Sequence, residues 1–358
     1  MDTLQTPVTA TNMPSLRPFV AHRLHLELEA REPILLSEHK GSSLRGMFYR
    51  GAMSLVGKPA RPLADDLPNS PLSTPRDPVQ QLMAALDEEG ERGKDAPRLY
   101  AVEPPLEPTC AFALGEQFSF GITLFGWAID LFPYVLMALK QAQHLGVGRR
   151  SPQTNQRGQF KLTHAWVANP FTGQTRDVYI ADSPAHPLQP EQIRLPDLPI
   201  THDDIPDVIP LDMAGPPQRL QVRFLTPVTL KHRGQLVRVP EFHILLHRIM
   251  ERLTELSRVG LSAPVPSLPN SREARNALLH QADAVQLTRN DTRWAELYGY
   301  SDRRRSETDL SGLLGTATYE CNDFSPFLQL LRWGEVIHAG NHAVKGNGWF
   351  QLRWVRPT

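Results

Sequence analysis

The sequence contains little cysteine and no excess charge of either sign. Two cysteines, Cys110 and Cys321, occur among 358 residues. They can form neither the disulfide framework of a small secreted domain nor a cysteine-rich metal cluster, and this fits a reducing cytoplasm. The 38 Lys and Arg residues are balanced by 38 Asp and Glu residues. The total charge therefore does not indicate nucleic acid, and a polyanion would have to bind a local basic patch.

A clear membrane-spanning run is also missing. Residues 118–139 come nearest, with about twenty mostly apolar positions, close to what a bilayer requires. Asp130 and Pro133 divide this run: apolar residues alternate before them and recur at helical spacing after them. We predict a buried strand followed by a helix that Asp130 caps, and no association with a membrane. Residues 1–15 lack the charged leader and apolar core of a secretory signal, so we expect a cytoplasmic protein.

The chain has two halves with the same order of elements. In the first half, the patterns predict a strand at 19–28, a helix at 44–55 after a turn at 41–43, and a strand, a helix and a strand between 118 and 167. In the second half, they predict strands at 220–230, 313–319 and 349–354, and helices at 240–256 and 324–338. Each half reads β-α-β-β-α-β. We therefore predict an α+β fold of two tandem ferredoxin-like (RRM-like) domains.

The composition suggests where the domains begin and end. We predict an N-terminal ferredoxin-like domain over residues 15–170, with an insertion rich in proline and acidic residues at about 57–95. Residues 171–216 are predicted to form a linker with extra strands, such as one at 177–180. The C-terminal ferredoxin-like domain is predicted over 217–358, with a glycine-rich loop at 340–348.

Five segments in this order carry a family resemblance. They are HKGSSLRGMF at 39–48, GEQFSFGITLFGWA at 115–128, HLGVGRR followed by RGQFKL within 144–162, FLTPVTLK at 224–231, and the long segment at 310–352. With them, the chain resembles the CRISPR-associated pre-crRNA processing endoribonucleases of the RAMP superfamily, which are tandem ferredoxin-like proteins. One departure is that the final loop often has Gly-Lys in the family, where this chain has Gly340-Asn341.

The resemblance implies cleavage of CRISPR repeat RNA (pre-crRNA) without a metal or any other cofactor. The ribose 2′-OH would attack the adjacent phosphate and leave a 2′,3′-cyclic phosphate and a 5′-OH. Other subunits of a CRISPR effector complex are further partners that the resemblance allows. An alternative is a noncatalytic RAMP subunit that binds the crRNA repeat within such a complex. A third reading, an unrelated ferredoxin-like enzyme acting on a small metabolite, would need an enclosed apolar pocket.

Histidine and lysine are the residue types that this reaction needs, for proton transfer and for charge. The first candidate is His39, because the catalytic histidine of related enzymes commonly lies near the first helix. Lys40 and Arg45 would add positive charge beside it. The second candidate is His342 in the glycine loop. The alternative for His39 is an exposed loop residue, and a helix-capping or core role is favoured for His338.

The candidates for RNA binding are basic residues and loop glycines. Glycine lets backbone N–H groups approach a phosphate, although basic runs are often only solvated surface. The set comprises Arg45, Arg149, Arg150, Arg157, Arg303, Arg304, Gly340, Lys345, Gly346 and Gly348. His243 and His247, with Glu251, have a spacing that could hold a metal on one helix face, but ordinary partly buried or surface histidines are favoured there, and we predict no metal site.

Overall fold

The computed structural model describes residues 16–55, 98–183, 193, 196–206, 218–301 and 306–355. The predicted insertion at about 57–95 lies outside these residues, as do Arg303 and Arg304. Among the described residues, no helix is long and apolar enough to cross a membrane.

The first half folds into a five-stranded antiparallel sheet with two helices. The elements are β1 Ala21–Ala30, α1 Lys40–Leu55, β2 Tyr100–Glu103, β3 Gln117–Phe125, α2 Phe132–Leu145, β4 Phe160–Asn169 and β5 Gln174–Ile180. The strand order is β2-β3-β1-β4-β5. Along β1, the alternating Leu24, Leu26 and Leu28 are fully buried, as expected for a strand with one face on the core.

The second half repeats this plan with four strands. Its elements are β6 Arg219–Val228, α3 Phe242–Val259, α4 Arg272–Asp283, β7 Gln286–Ala295, β8 Gly312–Glu320, α5 Leu328–Ile337 and β9 Phe350–Trp354. The strand order is β7-β8-β6-β9. In both sheets the second, third, first and fourth strands of the repeat lie side by side, so the predicted tandem ferredoxin-like fold is confirmed.

Short elements complete the described chain. Four small strand pairs are Ile34–Leu35 with Ala111–Phe112, Val147–Arg150 with Arg157–Gly158, Lys231–His232 with Gln235–Leu236, and Tyr298–Ser301 with Ser306–Asp309. Three 3₁₀ segments are Gly126–Leu131, Ser325–Phe327 and Ala343–Lys345.

The structure corrects three local predictions. Helix α1 begins at Lys40, so residues 41–43 form its first turn rather than a separate turn before it. Asp130 does not cap α2, because a 3₁₀ segment runs directly into that helix. The Asp130 carboxylate instead lies 3.6 Å from the Arg17 guanidinium. The last helix predicted at 324–338 is a 3₁₀ turn followed by α5, which ends at Ile337.

The end of the first sheet also differs from the predicted boundary at residue 170. Strand β5 pairs with β4 along the sheet edge, and Ala21 at the start of β1 forms an antiparallel bridge with Ile200. Part of the predicted linker therefore belongs to the N-terminal sheet, because its strand satisfies backbone hydrogen bonds that β4 would otherwise leave open.

The two repeats share an unusual chain reversal after their second helix. Gly146, the residue after α2, has φ 70° and ψ 171°, and His338, the residue after α5, has φ 65° and ψ 163°. This region of backbone space is populated almost only by glycine, and a side chain in it costs about 1–3 kcal/mol. The second repeat thus holds a strained histidine at the position where the first has glycine.

The two helices of the first repeat cross at a position that requires glycine. A Cβ atom at Gly51 of α1 would lie 2.0 Å from the backbone oxygen of Ala138 in α2. At Gly46 in the same helix, a Cβ atom would meet only the flexible tip of Arg50, at 3.3 Å. Alanine at Gly51 therefore tests the close packing of the two helices, whereas alanine at Gly46 tests helix propensity alone.

We predict opposite effects from alanine at these two positions. Gly51→Ala should lower the free energy of unfolding by about 1–3 kcal/mol, because the backbone of α2 must move away. Gly46→Ala should leave it unchanged or raise it by up to about 1 kcal/mol through better helix propensity. Urea unfolding followed by circular dichroism gives the free energy of unfolding of both variants. Equal destabilisation would contradict the close contact of α1 and α2 at Gly51.

Candidate catalytic cluster between helix α1 and the glycine loop

The start of α1 lies directly on the glycine loop of the other repeat. A Cβ atom at Gly41 would lie 1.8 Å from the backbone oxygen of Lys345, so only glycine permits this approach. Because Gly41 belongs to the first turn of α1, the contact brings the residues around it against residues 342–347. Two distant parts of the chain thus form one site.

His39 occupies the N-cap position of α1 and uses both ring nitrogens. Its Nδ1 atom accepts a hydrogen bond from the Ser42 backbone N–H at 3.2 Å and lies 3.2 Å from the Ser42 hydroxyl. Its Nε2 atom lies 2.6 Å from Oδ1 of Asn347. The residue is 6% exposed, so the alternative of an exposed loop histidine does not apply. Burial lowers the pKa of His39, an effect that Lys345 reinforces and the Asn347 hydrogen bond opposes.

His342 belongs to the same cluster. It is half-buried at the start of the 3₁₀ turn and has a left-handed backbone, with φ 63°. Burial, together with the smaller effects of Lys345 and His39, lowers the pKa of His342 to about 4, while Asp309 acts in the opposite direction. The two candidate histidines, far apart in sequence, therefore lie close enough to influence each other, with Lys345 near both.

Lys40 does not supply charge to the cluster as predicted. Its side chain is buried, and its ammonium donates hydrogen bonds to the backbone oxygens of Pro105, at 3.3 Å, and of Glu107. Two carbonyl acceptors thus satisfy the buried ammonium, and the observed role of Lys40 is to hold residues 105–107 on the first turn of α1.

The backbone N–H groups of two loop glycines also form hydrogen bonds within the protein. Gly346 and Gly348 are buried, and their N–H groups donate to the backbone oxygens of Ala343 and Pro227, each at 2.9 Å. These two amides are therefore used within the protein, and RNA contact by Gly346 and Gly348 stays a prediction. Both residues have positive φ, and a Cβ atom would meet Pro104 or the Ala339 oxygen. At Gly340 it would meet the Thr229 oxygen, and RNA contact by Gly340 stays a prediction.

The basic candidates lie on and beside α1. Arg45 is half-buried on α1, Arg149 and Arg150 are exposed on the Val147–Arg150 strand, and Arg157 is half-buried on its partner. The Arg50 guanidinium of α1 donates to the Gly146 oxygen at 3.1 Å, which ties this strand pair to the helix. Arg150 donates to the Asn155 oxygen at 2.6 Å. RNA contact by these residues and by Lys345 stays a prediction.

A buried ion pair next to the cluster was not found from the sequence. Glu103 is fully buried, and its carboxylate lies 2.6 Å from Arg23 and accepts from Thr123 at 3.0 Å. Burial alone would raise the pKa of Glu103, but Arg23 and His338 together hold it below its ordinary value. A buried charged pair between residues of β1 and β2 has no periodic signature, so only the tertiary structure shows it.

The same ion pair is covered by residues of the second repeat. The Arg23 guanidinium lies 5.4 Å from the ring centre of Trp349, which stacks on His338 at 6.2 Å. His338 donates from Nδ1 to the Asn347 oxygen at 3.1 Å. The favoured core role of His338 thus fits its position, at 0% exposure.

The other histidine pair makes contacts with acidic residues. His243 lies 3.5 Å from Asp283 and 3.7 Å from Glu241, and His247 lies 3.6 Å from Glu251. Among the described residues, no group of three or more His, Cys, Asp or Glu side chains is arranged to hold a metal ion.

Comparisons with known proteins place this geometry in a family context. A family model described as an N-terminal domain matches residues 17–193, and the model described as CRISPR-associated endoribonuclease Cas6 matches residues 222–350. No curated protein matches the sequence significantly.

Several solved structures share the fold. Thermus thermophilus Cas6 has a TM-score of 0.52 at 13% identity, covering 94% of this chain and 99% of that one. A Cas6 product complex has a TM-score of 0.51 at 14% identity, covering 93% and 99%. A chain of a partial Cas6-RT-Cas1–Cas2 complex has a TM-score of 0.52 at 14% identity, with 96% of this chain covered but 47% of that longer chain. At these identities the structures show a common fold.

The buried state of His338 makes stability depend on pH. Burial lowers the pKa of His338 from the ordinary histidine value of 6.5 to about 4, so between these pH values the unfolded chain binds a proton that the folded protein excludes. The contribution of the neutral His338 ring to the free energy of unfolding is fully present above pH 6.5 and is lost as the pH falls towards 4. Between pH 7 and pH 5 the free energy of unfolding falls by about 2 kcal/mol because of this residue.

We predict that His338→Gln reduces the loss of unfolding free energy between pH 7 and pH 5 by about this amount. Urea unfolding at the two pH values gives the difference, whatever the variant's stability at pH 7. His280→Gln, at an exposed position on α4, serves as the control. An unchanged difference in His338→Gln would contradict a buried neutral imidazole.

Proposed function

We propose that the chain is a CRISPR-associated RNA-processing endoribonuclease of the RAMP superfamily, in keeping with the Cas6 family model and the shared fold. It would cut repeat RNA by metal-independent transesterification at the cluster of His39, His342 and Lys345. The observation that carries this proposal is the meeting of two neutral imidazoles and a lysine where α1 contacts the glycine loop. These are the residue types that general acid–base chemistry on a phosphodiester requires.

The proposed reaction needs only groups of the RNA and of this cluster. The 2′-oxygen attacks the adjacent phosphorus as the bond from phosphorus to the 5′-oxygen of the next nucleotide breaks. The products are a 2′,3′-cyclic phosphate and a 5′-OH. One proton leaves the 2′-OH and one reaches the leaving 5′-oxygen, so the protein neither gains nor loses a proton overall.

We assign the general base to Nδ1 of His39. The contacts of Nδ1 with Ser42, at 3.2 Å, are long, whereas the contact of Nε2 with Asn347 is 2.6 Å. A 2′-OH can therefore replace the weaker contact while the ring stays in place. Because the pKa of His39 is lowered, the ring remains neutral and able to accept a proton at neutral pH.

The remaining roles go to the other members of the cluster. His342 is the second imidazole and is neutral, so it would relay the proton that His39 takes from the 2′-OH on to the leaving 5′-oxygen. Its half-buried ring is more accessible than that of His39. The Lys345 charge, which acts on both histidines, would stabilise the negative charge that develops on the phosphate. CRISPR repeat RNA is the proposed substrate, in keeping with the Cas6 family model.

The test is cleavage of a labelled repeat RNA from the protein's own CRISPR array, in EDTA, beside an RNA with a single 2′-deoxy substitution at the mapped cut. We expect one cut in the ribose form only, with a 2′,3′-cyclic phosphate end. Cleavage of the deoxy form would overturn the proposed reaction. Tight binding of both RNAs without a cut would favour the noncatalytic RAMP subunit instead.

We predict that His39→Ala lowers the single-turnover rate about 10²- to 10⁴-fold, the usual range for loss of an acid–base group. RNA affinity should change little, since the imidazole is neutral and 6% exposed. His280→Ala, on the surface of α4, controls for loss of a histidine elsewhere. A normal rate in a folded His39→Ala protein would remove His39 from the site.

We predict that Arg149→Ala with Arg150→Ala weakens RNA binding and flattens its salt dependence. Each arginine that neutralises a phosphate contributes about one unit to the slope of log affinity against log salt, so the double variant should lose up to about two. Arg272→Ala with Arg289→Ala removes two exposed arginines from the second repeat as a matched control. Equal slopes in the two double variants would contradict a specific role for the first pair.

A further inference from the structure

Asn347 is fully buried and hydrogen-bonded through both ends of its side-chain amide. Its Nδ2 atom donates to the Leu310 backbone oxygen at 2.9 Å, and its Oδ1 atom lies 2.6 Å from Nε2 of His39. Because a backbone oxygen can only accept, the amide nitrogen must face Leu310 and the amide oxygen must face the imidazole. The proton of the neutral ring therefore lies on Nε2.

The other side of the ring leads to the same tautomer by a separate contact. The Ser42 backbone N–H can only donate, and it points to Nδ1 of His39 at 3.2 Å. Nδ1 is thus the unprotonated nitrogen, and its electron pair accepts only a shared contact, since the Ser42 N–H also donates to the His39 backbone oxygen at 3.1 Å. Asn347 and Ser42 belong to different repeats, so two independent constraints agree on which nitrogen can act as a base.

The backbone holds Asn347 firmly in this position. Its N–H donates to the His342 oxygen at 3.3 Å, and its own oxygen accepts from Nδ1 of His338 at 3.1 Å. Gly346 and Gly348 flank it at φ 89° and 78°, which turns the chain sharply on both sides. Asn347 is completely buried, with two hydrogen bonds from its side chain and two from its backbone, and a group held in this way is suited to orienting another.

From this arrangement we propose that Asn347 is a positioning residue, which fixes His39 in the tautomer with Nε2 protonated and leaves Nδ1 free to take the 2′-OH proton. The inference rests on the proposed function of His39 and deepens it. When Nδ1 takes up the proton, the Nε2–H stays hydrogen-bonded to the amide oxygen, so the ring need not turn during the reaction. In catalytic triads, an orienting group holds the base in the same way.

The position of Asn347 also makes the base depend on the contact between repeats. His39 and Asn347 are 308 residues apart in the chain. The constraint on Nε2 therefore exists only when the first turn of α1 lies on the glycine loop.

The first experiment observes the ring without RNA. Imidazole ¹⁵N NMR on the full chain distinguishes the two tautomers and follows the titration of His39, with the His39→Ala spectrum supplying the assignment. We expect wild type to show Nε2–H. Asn347→Leu, which removes both side-chain hydrogen bonds, should give a mixture of tautomers. Asn347→Asp should make His39 titrate at a pH higher by about one unit or more, since a carboxylate then faces Nε2.

The control for added charge is Asn341→Asp, which places a carboxylate at an exposed position of the same loop. In that variant the tautomer should stay as in wild type, and titration of His39 should move much less than in Asn347→Asp. Circular dichroism confirms that each variant is folded. If Asn347→Leu and Asn347→Asp both fold and leave the His39 tautomer and titration unchanged, the proposal is overturned.

The second experiment measures the pH dependence of single-turnover cleavage. We expect the acid limb in Asn347→Asp to move to higher pH together with the NMR titration, and Asn347→Leu to cleave about 10- to 100-fold more slowly with unchanged RNA affinity. If Asn347 had a purely structural role, its variants would cleave more slowly, but the acid limb of the pH–rate profile would stay at the same pH. If the NMR changes appear but wild type does not cleave, the proposed function is overturned while the positioning of the ring by Asn347 stands.

Discussion

The seating of α1 on the glycine loop is the contact on which the candidate site depends. Gly41 lets the first turn of the helix touch the backbone oxygen of Lys345, and a side chain at that point would separate the two repeats. Through this contact His39 reaches Asn347, and His342 and Lys345 come within electrostatic range of His39. The imidazole that caps a helix in one repeat is thus held by an amide of the other.

A second contact between the repeats lies next to the first. The ion pair of Arg23 and Glu103 is buried on the first sheet, and Trp349 and His338 of the second repeat cover it. Buried charges are tolerated only when they are paired and hydrogen-bonded, and here Thr123 adds a further donor. The strained backbone at His338 is kept because the ring is enclosed by these groups and bonded to Asn347.

Different residues are suited to proton transfer and to the electrostatic attraction of RNA. The imidazoles are buried and neutral, which suits proton transfer, while exposed arginines such as Arg149 and Arg150 stand on the surface beside α1. A chain with no net charge can therefore carry a basic surface where RNA is proposed to bind. The two requirements are met by different residues, so they can be tested by different variants.

The amino-acid sequence by itself determined the two ferredoxin-like repeats, because alternation in strands such as β1 and helical spacing in α3 are local patterns. It also singled out His39 and His342 as candidates, through the family resemblance of their segments. Only the tertiary structure decided that Lys40 is held by carbonyl groups, that the amides of Gly346 and Gly348 are used internally, and that Asn347 holds His39. The physical reason is that such individual hydrogen bonds, most of them between residues distant in the sequence, leave no periodic trace in the chain.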